Sequence, residues 1–181
     1  MSKTLKRVLI GALVLIVLLF AGFKVMQMNT KKHSPEDTVT YAMDQTQVTV
    51  KYCRPYKKAR VIFGDLVPYG KVWRTGANEP TTFTTNTTLK IQGQPLEPGT
   101  YTLWTIPGPE EWTVIWNSKM YPWGITMDQK ASREEEFDVV KAVVPAQRND
   151  QVEQFTIRFE EQGPTMVLEW DATRVAVEIP Y

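Results

Sequence analysis

The chain has 181 residues, 43% hydrophobic and 23% charged, with 21 basic and 20 acidic side chains and a net charge of +1. One histidine, His33, and one cysteine, Cys53, exclude an intramolecular disulfide, a zinc site and any Ser-His-Asp or Cys-His machinery in the part beyond residue 33. There is no Gly-x-x-x-x-Gly-Lys phosphate loop and no dinucleotide fingerprint, so neither a cofactor nor a metal is expected.

Residues 1–7 are a basic lead-in carrying Lys3, Lys6 and Arg7, and residues 8–23 (VLIGALVLIVLLFAGF) contain no charged side chain. A spanning helix needs about 20 apolar residues, whereas the core of a cleaved signal peptide has about 7–15. Residues 8–26 therefore read as a signal anchor, a transmembrane helix through which the chain meets the membrane. Removal as a signal peptide is the alternative, although Ala21-Gly22-Phe23 ends in a bulky aromatic where a small residue is needed. Lys3, Lys6 and Arg7 on one flank balance Lys24, Lys31 and Lys32 on the other, so flanking charge does not set the orientation. The short basic lead-in places the domain on the periplasmic side of the inner membrane; secretion after cleavage is the alternative. Residues 27–45 are polar and read as a tether, leaving 46–181 as one domain.

All 20 acidic residues but only 15 of the basic ones follow residue 33. An exported part with net charge −5 is a poor partner for nucleic acid. Its pattern has period two. In 46–54, Val48, Val50 and Tyr52 alternate with polar residues, 60–63 is short and β-branched, and 81–85 alternates Thr with Phe83. Leu89 and Ile91 run into a Gln92-Gly93 turn. Pro98-Gly99, with Gly99 expected at positive φ, launches 100–106, and 107–110 turns into 112–117. Phe155, Ile157 and Phe159 precede a Gln162-Gly163-Pro164 turn, then Met166, Leu168 and Trp170, an Asp171-Ala172 turn, and Val175, Val177 and Ile179. Only 127–136 is a helix candidate. Short strands between Gly/Pro turns predict an all-β fold, an antiparallel β-sandwich (jelly-roll-like or Ig-like) behind one hydrophobic helix. Trp104, Trp112, Trp116 and Trp170, on alternating strands, are expected in the core or on a sheet face.

The richest stretch for function is 52–79. Arg54, Arg60, Asp65, Tyr69, Trp73, Arg74, Asn78 and Glu79 stand there among turn-forming glycines. Aromatic faces, forked guanidinium groups and amide or carboxylate acceptors suit a polar ligand, and this mixture predicts a non-catalytic module binding such a ligand, for instance a glycan, or an envelope protein. Each residue also has a plain structural role open to it: Trp73 as core, and the arginines as partners of Asp65 or Glu79. Asp65 and Glu79 are the attractive pair for a carboxylate-dependent, glycosidase-like hydrolase, which needs two carboxyls about 5–9 Å apart. A scaffold subunit is the third reading.

The runs YCRPYKKARVIFGDLVPYGKVWRTGANEPTTFTTN, LEPGTYTLWTIPGPEEWTVIWN, VEQFTIRFE and MVLEWDATRVAVEIP resemble the bacterial envelope family catalogued as domain of unknown function 2911. The resemblance covers about Tyr41 to the C-terminus, and Gly70-Lys-Val-Trp-Arg-Thr-Gly-Ala-Asn78 is its most specific run. It implies an exported β-sandwich and transfers no activity and no catalytic residue.

Overall fold

The computed structural model describes residues 1–160 and 163–181. The unbroken apolar run forms helix α1, Lys3–His33, with no buried residue and enough length and apolarity to cross a membrane. It continues seven residues beyond Met26, so the first part of the expected tether is helical. Only Ser34 and Pro35 separate its end from the first strand.

Ser34–Tyr181 is a second compact unit. Its strands are β1 (Glu36–Met43), β2 (Thr46–Cys53), β3 (Thr81–Thr85), β4 (Leu89–Ile91), β5 (Gln94–Leu96), β6 (Gly99–Ile106), β7 (Glu111–Asn117), β8 (Asp138–Phe159) and β9 (Thr165–Glu178). Seven form one antiparallel sheet in the order β1-β2-β3-β6-β7-β8-β9, and β4-β5 is a separate hairpin. The all-β expectation is met, with the layers supplied by a sheet that curls on itself. The far half of β8 returns to the end of β2: Tyr56 bridges Gln154, and the Phe155 amide donates to the Pro55 carbonyl at 3.0 Å. The Tyr52 hydroxyl donates to the Ile157 carbonyl at 3.2 Å and accepts from its amide at 2.9 Å.

The curl encloses an aromatic core. Trp73 stacks on Trp170 (5.9 Å, 18°) and meets Phe155 (5.0 Å), Phe63 and Trp112 (both 6.1 Å) edge-on. Trp104, Trp112, Trp116 and Trp170 are buried as expected.

Several boundaries differ from the sequence reading. Residues 36–43 belong to the sheet, β1 pairing with β2 from Glu36↔Cys53 to Met43↔Thr46, so the domain starts at Ser34. On this edge strand only Tyr41 is fully buried, and its exposed polar residues look like tether. Residues 60–63 form no strand; Ile62 is buried within a turn and Phe63 bridges only Val67. Residues 127–136 form no α-helix. They have no apolar stripe to bury, Met127 being wholly exposed, and nothing then offsets the cost of helix nucleation. A tight hairpin with an Ile125↔Ala131 bridge stands there, followed by a 3₁₀ turn at Glu135–Phe137. Asp171 does not reverse the chain: at φ 54° it sits in a bulge opposite Val152, and β9 runs on through it. Gly99 opens β6 without a left-handed φ. Gln162, of the expected 162–164 turn, lies outside the described residues.

Candidate functional site

Two irregular segments flank the β6 side of the sheet, and each is tied down by its backbone. The first, 66–81, is pinned to β6: the Trp73 amide donates to the Thr105 carbonyl at 2.7 Å, and the Thr105 amide donates back at 2.9 Å. The Trp73 indole NH donates to the Gly76 carbonyl at 2.9 Å and fixes the turn beyond it. The second segment is the 124–132 hairpin. It is joined to the first where the Gly124 amide donates to the Asn78 carbonyl at 3.0 Å, and is closed by Thr126 N–Lys130 O at 2.8 Å and Ser132 N–Gly124 O at 3.2 Å. At its tip the Lys130 ammonium and the Thr126 hydroxyl hold the Asp128 carboxyl down at about 2. At its base Arg133 pairs with Asp138, both side chains nearly inaccessible to solvent.

A cleft of about 560 Å³ lies between these segments, within the size range of small-molecule sites. Leu66, Val67, Pro68, Val72, Ile125 and Ala131 give it apolar walls. Its charged lining is entirely cationic: Lys71, Arg74, Lys130 and Arg133. Two of these are matched from outside the cleft, Lys130 by Asp128 at 2.8 Å and Arg133 by Asp138. Lys71 is solvent-exposed and Arg74 largely buried, and neither forms an ion pair among the described residues.

Arg74 is the anomaly of the domain. Burial pushes its guanidinium below its usual value, with Cys53 acting weakly the other way. Its Nε is inaccessible and has no hydrogen-bond partner among the described residues. The Asn78 side-chain nitrogen is in the same condition. Both residues flank Gly124, where a Cβ would stand 2.0 Å from the Arg74 Cδ and 2.8 Å from the Asn78 carbonyl oxygen. Glycine at 124 thus lets the hairpin backbone rest on the arginine stem. A buried cation with an unmatched donor normally costs stability, and such residues in clefts are candidates for binding.

The residues singled out from sequence divide as follows. Trp73 and Arg74 line the cleft, and Asn78 braces it through Gly124. Arg54 does not reach it. Its guanidinium clamps the sheet closure, donating to the Phe155 carbonyl (3.1 Å), the Thr156 hydroxyl (2.8 Å) and Asp37 (3.1 Å). Arg60 caps a local turn through the Lys57 and Tyr56 carbonyls. Tyr69 lies over Gly64 and borders a shallower depression with Gly70 and residues 106–111. Asp65 is exposed in the 64–67 turn, whereas the Glu79 carboxylate accepts from the Cys53 thiol at 3.8 Å. Neither lines the cleft. Lys71, Lys130, Arg133 and Ile125 were not singled out. Lys71 stood inside the specific 70–78 run, but the others were masked by the expected helix at 127–136 or by featureless loop.

The family model described as "Protein of unknown function (DUF2911)" matches residues 34–179, and the chain belongs to that family. The match starts at the domain boundary seen in the structure. No curated protein and no solved structure matches the chain.

Proposed function

We propose that this DUF2911 domain is a non-catalytic binding module whose cleft between 66–74 and 124–133 takes an anionic ligand, and that α1 holds it at the periplasmic face of the inner membrane. The observation that carries the reading is Arg74: a largely buried guanidinium at a cleft wall, with no carboxylate partner among the described residues and an unmatched Nε. A carboxylate or phosphate oxygen in the cleft would meet the exposed part of the guanidinium and match its charge, and charge-assisted bonds of this kind are roughly twice as strong as neutral ones. Exposed Lys71 adds a second uncompensated charge beside it. For the anchor, support comes from the apolar, wholly unburied helix and its basic lead-in.

The test is thermal stabilisation and titration calorimetry of the protein with a panel of simple carboxylates and phosphates. Binding should appear, weaken with added salt and be lost in Arg74→Met. Protease access from the periplasmic side of spheroplasts checks the sidedness. An unchanged affinity in a folded Arg74→Met protein would remove the cleft from the proposal.

A further inference from the structure

Resting on that reading, we infer that the ligand is an anionic amphiphile: one phosphate or carboxylate head seated at Arg74 and Lys71, with an alkyl chain along Leu66, Pro68, Val72 and Ile125. Three features of the lining select this class. First, charge. Since Lys130 and Arg133 are already matched by Asp128 and Asp138, the unmatched cations are Lys71 and Arg74, enough for a head of one or two negative charges. A polyanion would require more, and would meet a domain whose own balance is 15 basic against 20 acidic side chains.

Second, the polar complement. Among the described residues, Gln129 is the only amide or hydroxyl side chain lining the cleft, no carboxylate lines it, and the Trp73 indole NH is already spent on Gly76. A sugar presents many hydroxyls, each needing an acceptor or donor, and these walls would leave most of them unmatched when buried. An alkyl chain asks for no partner and is favoured by apolar walls in proportion to the area it buries. Third, the rim. Leu66 is half exposed and borders the cleft, and Met127 stands fully exposed on the hairpin that forms the opposite wall. An apolar side chain left in water at the edge of a cationic cleft, as Leu66 is, suits a ligand with an apolar tail.

The experiment uses residues 34–181. This segment contains every core residue, from Tyr41 to Ile179, and no residue of α1 is buried, so it carries its own core. Four probes are titrated by calorimetry at fixed ionic strength: hexyl phosphate, inorganic phosphate, hexanol and hexyltrimethylammonium. Hexyl phosphate should bind at least tenfold more tightly than inorganic phosphate. Hexanol and the cationic amphiphile should show no saturable binding. Lys71→Gln, an exposed change that leaves the core untouched, should weaken hexyl phosphate several-fold, and Arg74→Met should abolish its binding.

Equal affinity for inorganic and hexyl phosphate would overturn the amphiphile and leave the anion-binding module standing. Equal binding of hexanol or of the cationic amphiphile would overturn it as well, because the head would then contribute nothing. Absence of binding by both phosphates would overturn the inference together with the reading on which it rests.

Discussion

If Arg74 is held in place for a ligand rather than for the fold, then removing its charge stabilises the domain. Arg74→Met is the sharpest form of the test, because methionine retraces the arginine stem. Its Cβ, Cγ, Sδ and Cε occupy the places of Cβ, Cγ, Cδ and Nε, so packing against Gly124 is kept and a methyl replaces the unmatched Nε. Leaving a buried polar group unsatisfied costs about 1–3 kcal/mol. Arg74 keeps some exposure, which places the expected gain near the lower end, about 1 kcal/mol. For a domain of this size that raises the melting temperature by about 2–4 °C. The control is the same substitution at Arg133, which donates from Nε to Asp138 at 2.9 Å. Arg133→Met takes one of three partners from the Asp138 carboxylate, leaving Asn117 and Lys141, and should destabilise by about 1–3 kcal/mol. Both are read by urea denaturation, with unchanged slopes showing that the folded and unfolded states keep their exposed surface. Destabilisation of about 1 kcal/mol or more in Arg74→Met would refute the reasoning and make Arg74 a structural residue.

Gly124→Ala should destabilise by about 1–3 kcal/mol through overpacking, since the new Cβ falls 2.0 Å from the Arg74 Cδ. Part of that loss should be recovered in the Arg74→Ala background, where Asn78 O at 2.8 Å still crowds it; strict additivity in the double-mutant cycle would show that the two residues do not touch. Trp73→Ala removes the ring packed on Trp170, Phe155, Phe63 and Trp112 and should cost about 3–5 kcal/mol in chemical denaturation. A loss well under 1 kcal/mol would contradict its place in the core. Burial alone would push the Asp138 carboxyl up, but hydrogen bonds from Arg133, Asn117 and Lys141 override it and hold the group below its ordinary value. Its contribution to stability is therefore complete above the unfolded carboxylate value of about 3.9 and is lost as pH falls through the lower folded value. Denaturation between pH 7 and 2 should show this loss, and Asp138→Asn should flatten it.

The strands β2, β3, β6 and β7 were legible because each buries at least one face: Val48, Val50 and Tyr52 in β2, Tyr101, Leu103 and Thr105 in β6. β1 was not, since an edge strand with few buried residues gives no stronger signal than a polar linker. The long strands β8 and β9 were seen only in pieces. Between Arg148 and Thr156 the pairing is broken by shifts in register, and Asp171 in the left-handed region reads locally as a turn. Period-two reasoning follows side chains across a flat ladder and loses them where a bulge advances the count by one.

The site shows a different limit. Sequence led to Trp73, Arg74 and Asn78 because aromatic, cationic and amide residues cluster there, but the same logic gathered Arg54 and Arg60, whose guanidinium groups are spent on backbone carbonyls. What separates Arg74 from Arg54 is not its neighbours in the chain. The difference is whether folding supplies an acceptor, and that depends on contacts about 100 residues apart, Arg54 with Phe155 and Thr156. Arg54 receives its acceptors because the sheet curls until the far half of β8 meets β2. Arg74, on the β6 side, rests its stem against the bare backbone of Gly124. Closing the sheet thus satisfies one arginine and leaves the other with an unmatched Nε, which is the physical ground on which we propose the cleft as a binding site.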